Sequence, residues 1–202
     1  MSATGEAPTI VLASASPRRQ ELLSRVGLAP RVVPAEVDES VLPGEPADDY
    51  VVRVAADKAH AVAALHPGAV VVAADTAVVL DGVPLGKPSD HAGALAMLTR
   101  LSGRSHQVLS AVVVVDADGI EHTALARAEV TMAPSSDEEL AWYVASGEPM
   151  DKAGAYGVQG LGAALVEHVE GDPTTVIGLP LRTTLDLLRA AGVTWPGATP
   201  GR

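Results

Sequence analysis

The sequence predicts an α/β protein built on a mixed, mostly β sheet flanked by helices, and three observations carry that expectation. Short Val-rich apolar runs, suited to buried strands, alternate with segments of helical period. Asp81-Gly82 and Asp118-Gly119 lie between strand-like runs and mark hairpins, which a purely parallel sheet would lack. The chain of 202 residues has the length of one folding unit, either a single lobe or two.

Taken in order, TIVLA (9–13) is a buried strand rich in β-branched residues, and helix signals follow at once. Ser16 can cap, Pro17 fits the first helical position, and Leu22, Leu23 and Val26 share a face before Gly27 stops the helix. PRVVP reads as a second strand, and the Pro- and Asp-rich segment AEVDESVLPGEPADD as a loop. A longer helix starts near Pro46 to Asp49 and stops at HPG. AVVVAAD is a strand ending in Asp75, and AVVLDGVPLGKP a hairpin. SDHAGALAMLTRLSG is a capped helix, and the next pair of long strands turns at Asp118-Gly119. SSDEELAWYVASG opens with a capping-box pattern. The Gly-rich loop GEPMDKAGAYGVQGLG leads to a strand AALVEHVEG, a turn DPTTVIG and a last helix from Pro180 to about Ala191. Residues 1–8 and 193–202 are expected to be flexible, leaving one domain over 9–192.

Composition narrows the function classes. With no cysteine, disulfides, thiolate nucleophiles and sulfur-ligated zinc are excluded. The core must be aliphatic, because Phe is absent and aromatic residues make up only 2%. No apolar run reaches membrane-spanning length and the first residues carry no leader pattern, so a soluble cytoplasmic protein is expected. A net charge of −11 disfavours a nucleic-acid polymer as partner. A small anionic ligand remains compatible, given a local basic pocket or a metal ion.

SASPRR supplies such a pocket. Ser14 and Ser16 offer hydroxyls, the helix start offers free N–H groups, and Arg18 and Arg19 add guanidinium forks suited to phosphate. The alternative is a plain helix cap beside solvated arginines. Asp75, at an expected strand end, can bind a hard cation or take a proton from water, or it can be an ordinary turn residue. Glu36, Asp38 and Glu39 form an acidic cluster that is either a solvated loop or a source of a metal ligand. Lys58 and Lys87 read as surface lysines unless they face the arginines' cleft. Gly154, Gly157, Gly160 and Gly162 allow close backbone approach, while Tyr156 and Gln159 between them can stack on a base and read its edge or merely pack the loop. The six histidines show no metal-ligand spacing.

In order, LASASPRRQELL, ADTAVVLDGVPLGKP, LSGRSHQVLSAVVVV and DKAGAYGVQGLGAALVEHVEGDPTTVIGLPL resemble the Maf proteins, a family named for septum formation, from about Ile10 to Leu187. The resemblance implies a two-lobed fold with a central cleft, like that of inosine triphosphatases, and hydrolysis of nucleoside triphosphates to the monophosphate and pyrophosphate. It places the catalytic aspartate on Asp75 and phosphate binding on Ser14, Ser16, Arg18, Arg19, Lys58 and Lys87. It implies base selection by Arg18, Thr76 and Gln159. Because a triphosphate beside Asp75 and Glu39 is repelled unless a cation bridges them, a Mg²⁺ or Mn²⁺ ion held partly by these carboxylates and partly by phosphate oxygens is expected. Asp-Thr at 75–76 resembles the group that prefers dTTP, UTP and modified pyrimidine nucleotides. One departure is Thr175, where the family often has Asn. The resemblance also implies a homodimer. The competing expectation is a nucleotide-binding regulator of cell division that keeps the pocket without essential catalysis, and a weaker one is a phosphatase releasing orthophosphate.

Overall fold

The computed structural model describes residues 8–195 of the chain. A seven-stranded mixed sheet forms its centre in the order β2-β1-β3-β5-β6-β7, with β4 paired to the far end of β3. The strands are β1 (Ile10–Leu12), β2 (Arg31–Val32), β3 (Val70–Leu80), β4 (Val83–Leu85), β5 (Ser105–Val115), β6 (Glu121–Met132) and β7 (Val166–Glu170). β1 lies parallel to β2 and β3, and the other pairings are antiparallel. The helices are α1 (Pro17–Arg25), α2 (Ala47–Ala63), α3 (His91–Leu101), α4 (Asp137–Ala145), α5 (Pro173–Ile177) and α6 (Leu181–Ala190). Among the described residues no helix is long and apolar enough to cross a membrane.

The two-residue period of β3 sorts its side chains into three cores. Val71, Ala73, Ala77 and Val79 face α2, whose Val51, Ala55, Ala59 and Val62 cover them. On the other face, Val70, Val72 and Ala74 join Leu22 and Leu23 of α1 and Leu188 of α6. Further along that face, Val78 and Leu80 join Leu98 of α3 and Tyr143 of α4. β5 divides in the same way, Val112 and Val114 going to one core and Val108 to the other. Thr76 and Ser110, directly paired in register, sit at the division. This is the physical origin of two lobes with a cleft between them: each strand changes core at a polar residue.

Three elements differ from the sequence-based expectation. β3 does not end at Asp75 but continues to Leu80, because β5 pairs with it without interruption from Val71 to Val79. DPTTVIG is not a turn but the short helix α5, with Asp172 capping its start (Oδ1 to Thr174 N, 2.8 Å) and Gly178 in the left-handed region at its end. The strand expected over 163–171 is confined to β7, since Leu161–Leu165 forms a 3₁₀ turn. The α4 capping box is present as predicted: Ser136 accepts from Glu139 N while Glu139 accepts from Ser136 N. Ser16 occupies the α1 cap position, but its side chain makes no capping bond. Val193 is 3% exposed in the α1/α6 core and Arg189 stacks over Trp195, so packing continues into the expected C-terminal tail; its residues 196–202, like residues 1–7 at the other end, lie outside the described residues.

Candidate active site

On one edge of β3, pairing with β1 covers Val70 to Val72 and pairing with β4 begins at Val78. The stretch between them opens into a cleft of about 900 Å³, and Asp75 stands in that stretch. Asp75 faces α2 and is only 6% exposed. Lys58, 7% exposed on the buried face of α2, donates from Nζ to Asp75 Oδ1 at 2.8 Å and contacts Glu39 Oε1 at 2.8 Å. One buried ammonium thus joins two carboxylates. Burial pushes the Asp75 carboxyl above its ordinary value, and the charge and hydrogen bond of Lys58, with Arg19 beyond, offset only part of that rise. Glu39 is less enclosed; there burial also raises the pKa, but the bond and charge of Lys58, with Lys87 and Arg19, outweigh it and hold the carboxyl below its usual range.

Glu39 reaches the cleft because α2 clamps its loop. Arg53 grips Glu45 with two bonds (2.6 and 2.9 Å) and donates to Ser40 O at 2.9 Å. The Tyr50 hydroxyl donates to Glu39 O at 3.0 Å. A loop with no regular structure of its own is therefore fixed by the first turns of the following helix.

The opposite side of the cleft is cationic. Arg19, on the first turn of α1, donates to Gly178 O (Nε, 2.8 Å), Ser14 Oγ (3.1 Å) and Thr76 Oγ1 (3.3 Å). Ser14 also accepts from Ser16 N at 3.2 Å, so its hydroxyl shapes the turn into α1. Arg18 crosses the cleft to Asp151 (NH1 to Oδ2, 2.9 Å), which Lys152 also meets at 2.6 Å. Lys87 is exposed on the cleft wall after β4, and Ser16 lines the cleft beside the arginines.

The Gly-rich loop forms the far wall, and Glu148 organises it. Its carboxylate accepts from Leu161 N (2.8 Å), Gly162 N (3.0 Å) and the Tyr143 hydroxyl (3.0 Å). Gln159 stands exposed at the loop's cleft-facing tip and makes no hydrogen bond with the described residues. Tyr156 corrects the stacking expectation: although it borders the cleft, it is only 5% exposed, packed in the α3/α4 core, and its hydroxyl meets His106 Nε2 at 2.7 Å, so almost none of its surface is left for a base. Burial lowers the pKa of His106 to about 4 and keeps the ring neutral.

The structure thus brings all ten expected residues to one cleft, from Ser14, Ser16, Arg18 and Arg19 through Glu39, Lys58, Asp75 and Thr76 to Lys87 and Gln159. It adds Glu148 and Asp151 to that cleft, and Ser110, fully buried behind Thr76, none of which the sequence singled out. Ser110 and Asp151 act through partners distant in sequence and Glu148 through the backbone of the loop that follows it, so only the periodic opposition of β3 and β5 hinted at Ser110. Among the described residues no three His, Cys, Asp or Glu side chains gather to hold a metal ion. Mg²⁺, however, commonly takes one or two carboxylates and completes its shell with phosphate and water. Glu39 and Asp75 are such a pair, held close by a shared ammonium, and the donor set fits a hard cation that arrives with phosphate oxygens.

Comparison with known proteins places the chain in a family. The family model described as "Maf-like protein" matches residues 9–191. The chain is 54% identical over 197 residues to a protein of Anaeromyxobacter dehalogenans named dTTP/UTP pyrophosphatase, an alignment covering 96% of this chain and 100% of that one. It is 51% identical over 187 residues to a protein of the same name from Myxococcus xanthus, covering 93% and 94%. Among solved structures, the Staphylococcus aureus Ham1 protein shares the fold at 17% identity, with a TM-score of 0.52 over 90% of this chain and 96% of that one. The chain belongs to the Maf family.

Proposed function

We propose that this protein is a nucleoside triphosphate pyrophosphatase that hydrolyses the bond between the α- and β-phosphates of dTTP and UTP, and of related modified pyrimidine nucleotides. The observation that carries the reading is a buried carboxylate, Asp75, set opposite a cationic wall in one cleft; the names of the relatives supply the base. Arg19, Arg18 and Lys87, with the Ser14 and Ser16 hydroxyls and the N–H groups at the start of α1, receive the phosphates. Asp75 accepts a proton from water, and the water oxygen forms a new bond to the α-phosphorus. The bond from that phosphorus to the bridging oxygen breaks, and the arginines stabilise the charge that gathers on pyrophosphate. Lys58 keeps Asp75 in place and shares its charge with Glu39. A Mg²⁺ or Mn²⁺ ion held by Glu39 and Asp75 would supply charge neutralisation where carboxylates and phosphates meet. Thr76 and Gln159 read the base, and Arg18 contributes to the same choice. The site in this reading acts in the cytoplasm, on a homodimer, with no nucleic-acid polymer or membrane as partner.

The test incubates the purified protein with Mg²⁺ and a panel of nucleoside triphosphates, reading pyrophosphate and orthophosphate separately, beside Asp75→Asn. Pyrophosphate from dTTP and UTP, reduced about a thousandfold or more in the variant, is expected. Full activity of Asp75→Asn would sink the mechanism, orthophosphate alone would indicate a phosphatase, and binding without product would indicate a division regulator.

A further inference from the structure

Thr76 and Ser110 are paired across β3 and β5, and the bonds around them dictate where their protons lie. Ser110, with no exposed surface, places Oγ 2.9 Å from the carbonyl oxygen of Thr175. A carbonyl cannot donate, so the proton in that contact is the serine's. Ser110 Oγ is also 2.6 Å from Thr76 Oγ1, and with its own proton spent on Thr175 it can only accept there. The proton of Thr76 therefore points inward. The reverse order would set two bare oxygens 2.9 Å apart in a buried site and send the threonine proton to Gly178 O at 3.4 Å, an oxygen already bound by Arg19 at 2.8 Å. Arg19 donates to Thr76 Oγ1 from the cleft side, as an acceptor requires.

We propose that Ser110 is a positioning residue for base selection: it commits the Thr76 hydroxyl to act as an acceptor toward the cleft. This rests on the reading of the cleft as a nucleoside triphosphate site with Thr76 at the base. An acceptor suits the ring N–H that uracil and thymine carry between their two carbonyls. Cytosine has the same size, but its corresponding ring nitrogen bears no proton and is itself an acceptor. Two acceptors then face each other, and neither finds a proton. Residues that never touch the nucleotide thus decide uracil against cytosine, through a relay running from Thr76 to Ser110 to the backbone of α5.

The experiment compares kcat/KM for UTP and CTP in the wild type, Ser110→Ala, Thr76→Val and the double variant. Without Ser110 the threonine proton is free to turn outward and meet the cytosine nitrogen, so the UTP to CTP ratio is expected to fall roughly tenfold to a hundredfold, chiefly through gain on CTP. In the Thr76→Val background the Ser110 substitution is expected to leave the ratio unchanged. A merely structural role for Ser110 would lower both substrates together, and an unchanged ratio in Ser110→Ala, or an equal effect in both backgrounds, would overturn the proposal. The wild type gives a reading that needs no variant: UTP methylated at the ring nitrogen is expected to lose at least about tenfold in kcat/KM, and turnover equal to that of UTP would also overturn it. Failure of the wild type to release pyrophosphate from any nucleotide would instead remove the functional reading on which this one stands.

Discussion

Asp75 is pulled in two directions, and the balance has a measurable sign. Burial raises its pKa, Lys58 and Arg19 lower it, and burial prevails. A base works only when ionised, so the acid limb of the pH dependence of kcat/KM is expected above the ordinary aspartate value of 3.8. An acid limb at or below that value would show that another group limits the rate. Removing Lys58 should move both activity and stability. In Lys58→Met the buried carboxylate loses its main partner, so the acid limb shifts further up and the fold loses about 3 kcal/mol at neutral pH. The linkage runs as for any raised carboxyl: the folded state prefers the protonated form, so the deficit is largest above the shifted pKa and shrinks as acid protonates Asp75. Urea unfolding at two pH values checks this, and an equal deficit at both would contradict it. Asp75, Lys58 and Glu39 were legible in the sequence as chemistry-bearing types. That one ammonium lies between two carboxylates was not, because that depends on α2 packing across β3.

At the scale of elements, the Gly-rich loop owes its shape to close approach rather than to flexibility. A Cβ on Gly162 would lie 2.6 Å from both Gly157 O and the Tyr143 hydroxyl, and neither can yield without moving backbone or core. Gly162→Ala is therefore expected to cost about 2 kcal/mol, measured as a lower Tm, and to raise KM for UTP by displacing the loop that carries Gln159. Wild-type values for both would mean that the loop tolerates repacking. The glycines were visible in the sequence, whereas the carboxylate they wrap, Glu148, looked like any acidic residue after a helix. β3 teaches the complementary lesson. An aspartate after an apolar run reads as a strand end, yet pairing with β5 carries the strand past it, so Asp75 is mid-strand and the cleft comes from a gap in the neighbouring edge. For α5 the start and stop signals, Asp172, Pro173 and Gly178, were present, but two threonines and a valine between them are weak helix formers, and the contacts of this element with β5 and β6 stabilise what propensity does not.

Across the whole molecule, a chain of net charge −11 gathers Arg18, Arg19, Lys58, Lys87 and Lys152 around one cleft. In the proposed reading the net charge opposes a polyanion while these cations, set among the cleft's own carboxylates, attract its phosphates. Raising ionic strength from about 0.05 M to about 0.5 M screens the exposed Lys87 and the half-buried Arg18 as well as the distant carboxylates, and the nearer charges dominate, so KM for UTP is expected to rise several-fold. A KM that falls with salt would mean that overall repulsion governs capture. The order of strands and helices, the aliphatic core, the hairpins, the family and the residue types of the site follow from the sequence itself, because period, turn chemistry and motif are local properties of the chain. The proton direction at Thr76, the bridge from Arg18 to Asp151, the burial of Tyr156 and the place of Asp75 beside an unpaired strand edge were decided by the tertiary structure. Each depends on two segments far apart in sequence meeting within hydrogen-bond distance, and no local pattern encodes that meeting.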